Sequence, residues 1–594
     1  MGRSHATYCK KLLTLCTKLS IKIMYFTPPL YYLRFLTTAT LIAVTGFFFT
    51  AFGSTNSRNK ILVLHLKPMY DSNRKAASMH VSYEVVFEDS LRSHKLNLHL
   101  DLMENLGRKD DQISDLLVQD DNGVVSMSPP EKHPNENAML FSATRAVTGK
   151  VTVEYIIRAA SRDRKAGSYI DMQESGGGLT GSFISILLFP PFTNNLFVRL
   201  DWDLAAGNTA VSSFGAGNVT SQTTLSYETL QYVQFIVGPL QMYPTPLPDK
   251  GFSVAGLGID PEKIGAALPK YKTVYEYLRK QFGASPDLAF RFFFRSYAEV
   301  KFPSGSAVQG NGYGSFLLCI PPSEKLVDND DMLSLVSHEM LHVFMTGINS
   351  EWYSEGIAEY LSTILPYQGK FYSEEFYLKS INEKAAQYYT NSIRMLPDPT
   401  DGKLKFSTAN SWTLPYTRGF LYFANLDAKL KIFVKEKKVT VLSLALELER
   451  LKKNQKITEM TWTELLEKKA GHWAVEDWKA MKAGKLITPY PGVFGKKFVA
   501  ERIKVGVFDL GFNKSRGITK GQIIADLVEG SNAELAGIRN GDAILEFVDL
   551  YNYYGSYDKI LTVKIKRNEE ILSFSFSPRR GGVEGYKWVL ARDK

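Results

Sequence analysis

The sequence predicts a multidomain α+β protein, on three observations. A chain of 594 residues is too long for a single core at roughly 150 residues per domain. Short runs of alternating apolar and polar residues fill the part up to residue 242, helical periodicity dominates from about 261 to 469, and short strands return after 496. Within the helical part, Ser337-His338-Glu339-Met340-Leu341-His342 and Trp352-Tyr353-Ser354-Glu355-Gly356-Ile357-Ala358-Glu359-Tyr360 concentrate chemistry-bearing residues.

The chain opens on a basic tail, residues 1–34. Arg3, Lys10, Lys11, Lys18, Lys22 and Arg34 carry six of the ten net positive charges, with no acid among the first 35 residues. The rest is close to balanced and shows no basic, aromatic-interleaved patch, so nucleic acid is not an expected partner. Residues 35–53 follow as an uncharged apolar run, long enough to cross a bilayer with help from its flanks. Positive residues before it place the remainder on the non-cytoplasmic side of a membrane. The long basic lead favours an uncleaved signal anchor; a start at Met24 turns the same run into a signal peptide and the protein into a secreted or periplasmic one. Only Cys319 follows this run, so no intramolecular disulfide is expected beyond it.

Residues 60–242 read as an antiparallel β domain. Strand character marks Ile61 to Leu66, His80 to Phe87, Leu96 to Leu102, Val151 to Arg158, Phe183 to Phe189 and Phe197 to Leu204, with Gly and Pro between them. Gly176-Gly177-Gly178 lacks a following Lys-Ser/Thr pair and is a loop, not a phosphate cradle. His65, His80 and His99 fall on separate strands without metal-ligand spacing. Tyr243 to Pro248, with three prolines, reads as a stiff extended boundary.

Residues 251–490 form the expected catalytic domain. Pro261 to Phe282 is an amphipathic helix closed by Gly283, Ala289 to Phe294 a strand, Gln309 to Gly314 a glycine-rich loop, and Ser315 to Ile320 another strand. The cluster Asp328-Asn329-Asp330-Asp331 supplies cap candidates for a helix from about Asp330 to Met345. On that helix His338 and His342 lie one turn apart on one face and can reach one metal ion, while Glu339, about 100° away, can hold a water beside it. With 9 His in the chain, about 0.007 accidental His-Glu-x-x-His strings are expected. The pattern is that of a zinc hydrolase using one Zn2+ ion. Glu355 and Glu359 lie four apart on a second helix that should end before Pro366, so both carboxylates face the same way.

His338-Glu339-x-x-His342 followed by Trp352-x-x-Glu355-Gly356-x-Ala358-x-Tyr360 resembles the gluzincin metallopeptidases, whose fold is thermolysin-like. The resemblance implies that Glu355 is the third zinc ligand, and Glu359 then falls where it could accept a hydrogen bond from a ligand histidine. Leu414-Pro415-Tyr416-Thr417-Arg418-Gly419 resembles the Tyr-x-Lys/Arg-Gly segment of the aminopeptidase branch, which implies that Tyr416 donates to the tetrahedral intermediate.

Further helices are expected at Leu442 to Lys453 and Trp462 to Lys469, and the unit closes near Pro489 to Gly492. Residues 496–594 resemble a PDZ domain, through Asp509-Leu510-Gly511-Phe512 and the run from Ile523 to Leu545. That likeness implies a loop, Leu510, Gly511 and Phe512, that presents N–H groups to the C-terminal carboxylate of a peptide.

Together the parts resemble the glycyl aminopeptidase-like family. The expected activity is zinc-dependent, aminopeptidase-like hydrolysis of peptides or proteins. One departure keeps endopeptidase action open: the clan's aminopeptidases carry an acid in the glycine-rich segment, and Gln309 to Ser315 has none. A catalytically silent, membrane-tethered PDZ scaffold is the alternative from another class.

Overall fold

The computed structural model of the protein describes residues 61–86, 94–101, 112–134, 138–160, 171–192, 195–300, 303–310, 313–326, 329–345, 351–398, 408–435, 438–452, 454–512, 518, 520–546, 548 and 550–591. The basic tail and the apolar run 35–53 lie outside them. Among the described residues no helix is long and apolar enough to cross a membrane.

Three sheets occupy the stretch up to residue 238. The largest has seven strands in the order Val219–Thr220, Phe197–Trp202, Ile61–Tyr70, Ala76–Val86, Lys150–Arg158, Ile113–Asp120, Gly123–Val124. Period-two burial builds it: Val151, Val153, Tyr155 and Ile157 point inward while their neighbours stay wet. The expected antiparallel pairing holds with one exception, since Ile61–Tyr70 runs parallel to Phe197–Trp202. The expected strand from Phe183 to Phe189 is interrupted: Phe183–Ser185 is a 3-10 turn and only Leu188–Phe189 pairs. Ser185 Oγ donates to Ser182 O and stabilises that turn, a local alternative to strand pairing.

The central sheet is mixed, in the order Gln241–Tyr243, Gly251–Leu257, Ala289–Ser296, Tyr313–Ile320, Ser304–Gly310. Its three inner strands are parallel and its two edges antiparallel. The proline-rich stretch after Tyr243 is therefore the connection inside a strand pair rather than an extended linker. Likewise the expected glycine-rich loop is strand on both its described sides: Ser304–Gly310 lies antiparallel against Tyr313–Ile320. Ala289–Ser296 is buried on both faces, as inner parallel strands are. Phe290, Phe292 and Phe294 join the helical core, and Phe293 packs with Val211 and Ile236 of a neighbouring sheet. Arg295, fully buried, donates to Asp171 Oδ1 at 2.8 Å across the same junction.

The longer helices are, in chain order, α1 (Pro261–Gln281), α2 (Asp330–Phe344), α3 (Glu351–Gln368), α4 (Glu374–Tyr389), α5 (Ala409–Phe433), α6 (Val441–Lys452), α7 (Glu459–Lys469) and α8 (His472–Lys482). The expected stop before Pro366 does not occur, and α3 continues to Gln368. Proline leaves the carbonyl four residues back without its N–H partner. Here Tyr372 Oη, 3.4 Å from Ser362 O, supplies a replacement donor.

In the C-terminal part, Phe498–Phe508 pairs antiparallel with Arg579–Leu590, and Ala543–Ile544, Leu561–Arg567 and Glu570–Phe576 form a small sheet. Phe512, Ile524, Ile544 and Val563 give this region its own core. Phe498, Val505 and Trp588, by contrast, belong to the core of the helical part. Asn382 on α4 seals that contact: its amide donates to Trp588 O at 2.9 Å and accepts from Trp588 N at 2.7 Å, as a neighbouring strand would.

Candidate active site

Helix α2 starts where an Asn can cap it. The Asn329 side chain accepts from Met332 N at 3.0 Å, and Asp330 and Asp331 place negative charge in the first turn. Met332, Leu333, Val336, Met340 and Leu341 bury its apolar face. The same helix carries His338 and His342 toward α3, one turn apart as the spacing predicts.

The two histidines and Glu355 converge. His338 Nε2 lies 3.1 Å from His342 Nε2, and both face Glu355 Oε2, at 3.3 and 3.4 Å. A tetrahedral zinc with bonds of about 2.0–2.1 Å requires ligand-to-ligand edges of about 3.3–3.4 Å. The triangle therefore fits one zinc ion, and among the described residues it is the cluster of three His, Cys, Asp or Glu side chains that could hold a metal.

The surrounding groups order this triangle. Glu359 Oε2 lies 2.8 Å from His338 Nδ1, so the other ring nitrogen is left to face the ligand set. Burial alone would raise the Glu359 carboxyl, but Lys384 and His338 outweigh it and hold it at about 2. Glu355 is likewise pulled below the carboxylate range despite its burial, first by the charge of His342 and then by hydrogen bonds from both histidines. For His338 burial opposes the charged form, yet Glu355 and Glu359 push its pKa well up; a metal must compete with that proton.

Glu339 follows His338 on α2 and feels the charge of both histidines. Burial raises its carboxyl above the ordinary value, and the two histidines offset only part of this. Its carboxylate accepts from the Ala307 backbone N–H of the edge strand Ser304–Gly310. A buried carboxyl raised above its ordinary value and held beside a metal position suits a general base.

Tyr416 comes from α5. Its ring stacks over His338 at 5.9 Å, with Trp412 one turn earlier at 6.0 Å. Burial, and then the charge of Glu355, Glu339 and Glu359, keep its phenol protonated, and its hydroxyl hydrogen-bonds Glu355. The crossing of α3 over α5 that makes this possible is paved by Gly356 and Gly419. Beneath it Arg418 lies 4.4 Å over the Trp352 ring and donates to Arg394 O and Leu396 O.

The structure thus brings His338, Glu339, His342, Glu355, Glu359 and Tyr416 into one cluster. Leu510, Gly511 and Phe512 lie apart, in the C-terminal region. Leu510 and Phe512 point into its core, and the Gly511 N–H donates to Asp509 Oδ1 at 2.9 Å. Two partners escaped sequence reasoning: the Ala307 amide, which carries no side-chain signal, and Lys384. The latter had a visible sign, a lysine flanked by Ile381, Ala385, Ala386 and Tyr388 on an apolar helix face opened by Ser373 as cap.

No family model matches the chain, and no curated protein matches it. Among solved structures it is similar to an aminopeptidase N family protein from Idiomarina loihiensis, at 15% identity over 89% of this chain and 98% of that one, with a TM-score of 0.64. An M1 zinc metallopeptidase from Deinococcus radiodurans bound to a Tyr-Ser-Ala substrate matches 74% of this chain and 97% of its own, at 15% identity and a TM-score of 0.45. The first likeness, which spans nearly the whole of both chains, shows that the fold is shared with the aminopeptidase N family structure.

Proposed function

We propose that the protein is a zinc-dependent peptidase, aminopeptidase-like in mechanism. The triangle of His338, His342 and Glu355, with edges of 3.1, 3.3 and 3.4 Å, carries the reading. His338, His342 and Glu355 hold one zinc ion, which when bound supplies a Lewis acid for water activation and carbonyl polarisation. Glu339 takes the proton from the attacking water and returns it to the leaving amine. Tyr416, held protonated, donates to the oxygen on which negative charge develops. Glu359 fixes the tautomer of His338.

Substrates are peptides or proteins. The segment from Gln309 to Ser315, with no acid to hold a free amine, supports endopeptidase action as a second reading. Residues 60–242, 251–490 and 496–594 serve as β, catalytic and PDZ-like domains. The last is offered as a docking module for a peptide C-terminus, which would have to take the Gly511 N–H from Asp509. Residues 35–53 anchor or export the protein, so that catalysis takes place on the non-cytoplasmic side of a membrane.

Metal analysis of the purified chain, followed by digestion of paired free-amine and N-acetylated peptides, tests the activity. About one zinc per chain and cleavage confined to free-amine peptides is the expected result. Equal cleavage of both selects the endopeptidase reading. Zinc-loaded protein that cleaves neither would leave the silent scaffold.

A further inference from the structure

We propose that Lys384 is a positioning residue of the metal site, acting through Glu359 on His338; the proposal rests on the zinc reading above. Lysine is almost never fully buried without a partner, yet Lys384 is only 8% exposed. Its Nζ lies 3.0 Å from Glu359 Oε1 and donates to Ser380 Oγ at 2.9 Å, with the Phe420 ring 5.7 Å away.

The two oxygens of Glu359 are thereby divided between two partners. Oε2 serves His338 Nδ1 at 2.8 Å, and Oε1 serves Lys384. A glutamate carboxylate turns through a broad torsional well about its last bond. Held at one oxygen, it could swing and carry the imidazole with it; held at both, its plane is fixed. The orientation of His338 Nε2 toward His342 and Glu355 follows from that fixed plane. Lys384 also offsets the charge of Glu359, so this carboxylate adds no net charge beside the ligand set.

The helix that presents Lys384 is itself braced. Asn382, two residues earlier on α4, is bonded in both directions to the backbone of Trp588. Such support is what a metal site needs to hold its ligands within a fraction of an ångström.

The test is a double-mutant cycle in the full chain, read as the zinc dissociation constant by competition with a chromophoric chelator. Wild type, Glu359→Gln, Lys384→Met and the double variant are compared, with thermal unfolding of each metal-free protein as the check on folding. Each single change is expected to weaken zinc binding about 10- to 100-fold, and the double variant to bind within about threefold of Glu359→Gln alone. A Lys384→Met protein that binds zinc like wild type, or losses that multiply in the double variant, overturns the proposal. Should Lys384→Met fail to fold for want of a partner to its buried carboxylate, the comparison of the double variant with Glu359→Gln decides alone. Wild type that takes up no zinc would overturn the zinc reading itself, an outcome distinct from variants that bind as well as wild type.

Discussion

Gly356 and Gly419 meet where α3 crosses α5: a Cβ built on either would lie 2.5 Å from the Cα of the other. One residue before Gly356 is Glu355, and three before Gly419 is Tyr416, so this contact sets the separation of ligand and phenol. Alanine at either position must push the helices apart. Gly356→Ala or Gly419→Ala should therefore cost about 1–3 kcal/mol of stability, as overpacking does, and should lower turnover as well. Thermal unfolding and peptide hydrolysis check it, and two alanine variants as stable and active as wild type would mean the crossing is not a constraint.

Replacing Glu339 by Gln keeps an oxygen that can accept from the Ala307 N–H but removes the basic carboxylate. Zinc content should stay unchanged and hydrolysis should disappear. Metal analysis and a peptide assay on one preparation separate the two effects. An unaltered rate would place the base elsewhere.

Tyr416→Phe keeps the ring that stacks on His338 and removes the hydroxyl alone. Because that donor matters most when charge develops on the substrate oxygen, the loss should fall on kcat, by about 100-fold, with little change in KM. Steady-state kinetics on one peptide measure this. A loss confined to KM would make Tyr416 a substrate contact rather than an oxyanion donor.

The metal site is legible in the sequence where its geometry is local. One helical turn places His338 and His342 together, and four residues place Glu355 and Glu359 on one face, whatever the rest of the chain does. Lys384 and Ala307 are not legible in this way, because their approach depends on how α4 and an edge strand dock onto α2 and α3. Pro366 misleads for a related reason: a proline stops an isolated helix, but Tyr372 replaces the missing donor only in the folded protein. The interrupted strand at Phe183 is similar, since apolar pattern alone does not distinguish a buried 3-10 turn from a buried strand.

Acid sensitivity should appear far from the active site, at Asp120. Its side chain is fully buried and takes four donors: Arg145 Nη1 at 2.7 Å, Arg145 Nη2 at 2.8 Å, Asn122 N at 2.9 Å and Thr148 N at 3.0 Å. The Arg145 fork leads these in holding the carboxyl down at about 2, from an ordinary 3.8. A carboxyl with a lowered folded-state pKa stabilises the fold above its unfolded value and loses that contribution as pH falls through the folded one. Asp120→Asn should therefore be less stable than wild type at pH 7, because an amide cannot accept from both arms of the Arg145 fork. The gap should narrow between about pH 4 and pH 2, where wild type takes up its proton. Urea unfolding of the two proteins across that range measures the gap. If it stays constant down to pH 2, the amide costs stability through its shape in the buried turn, and the charge of Asp120 contributes nothing.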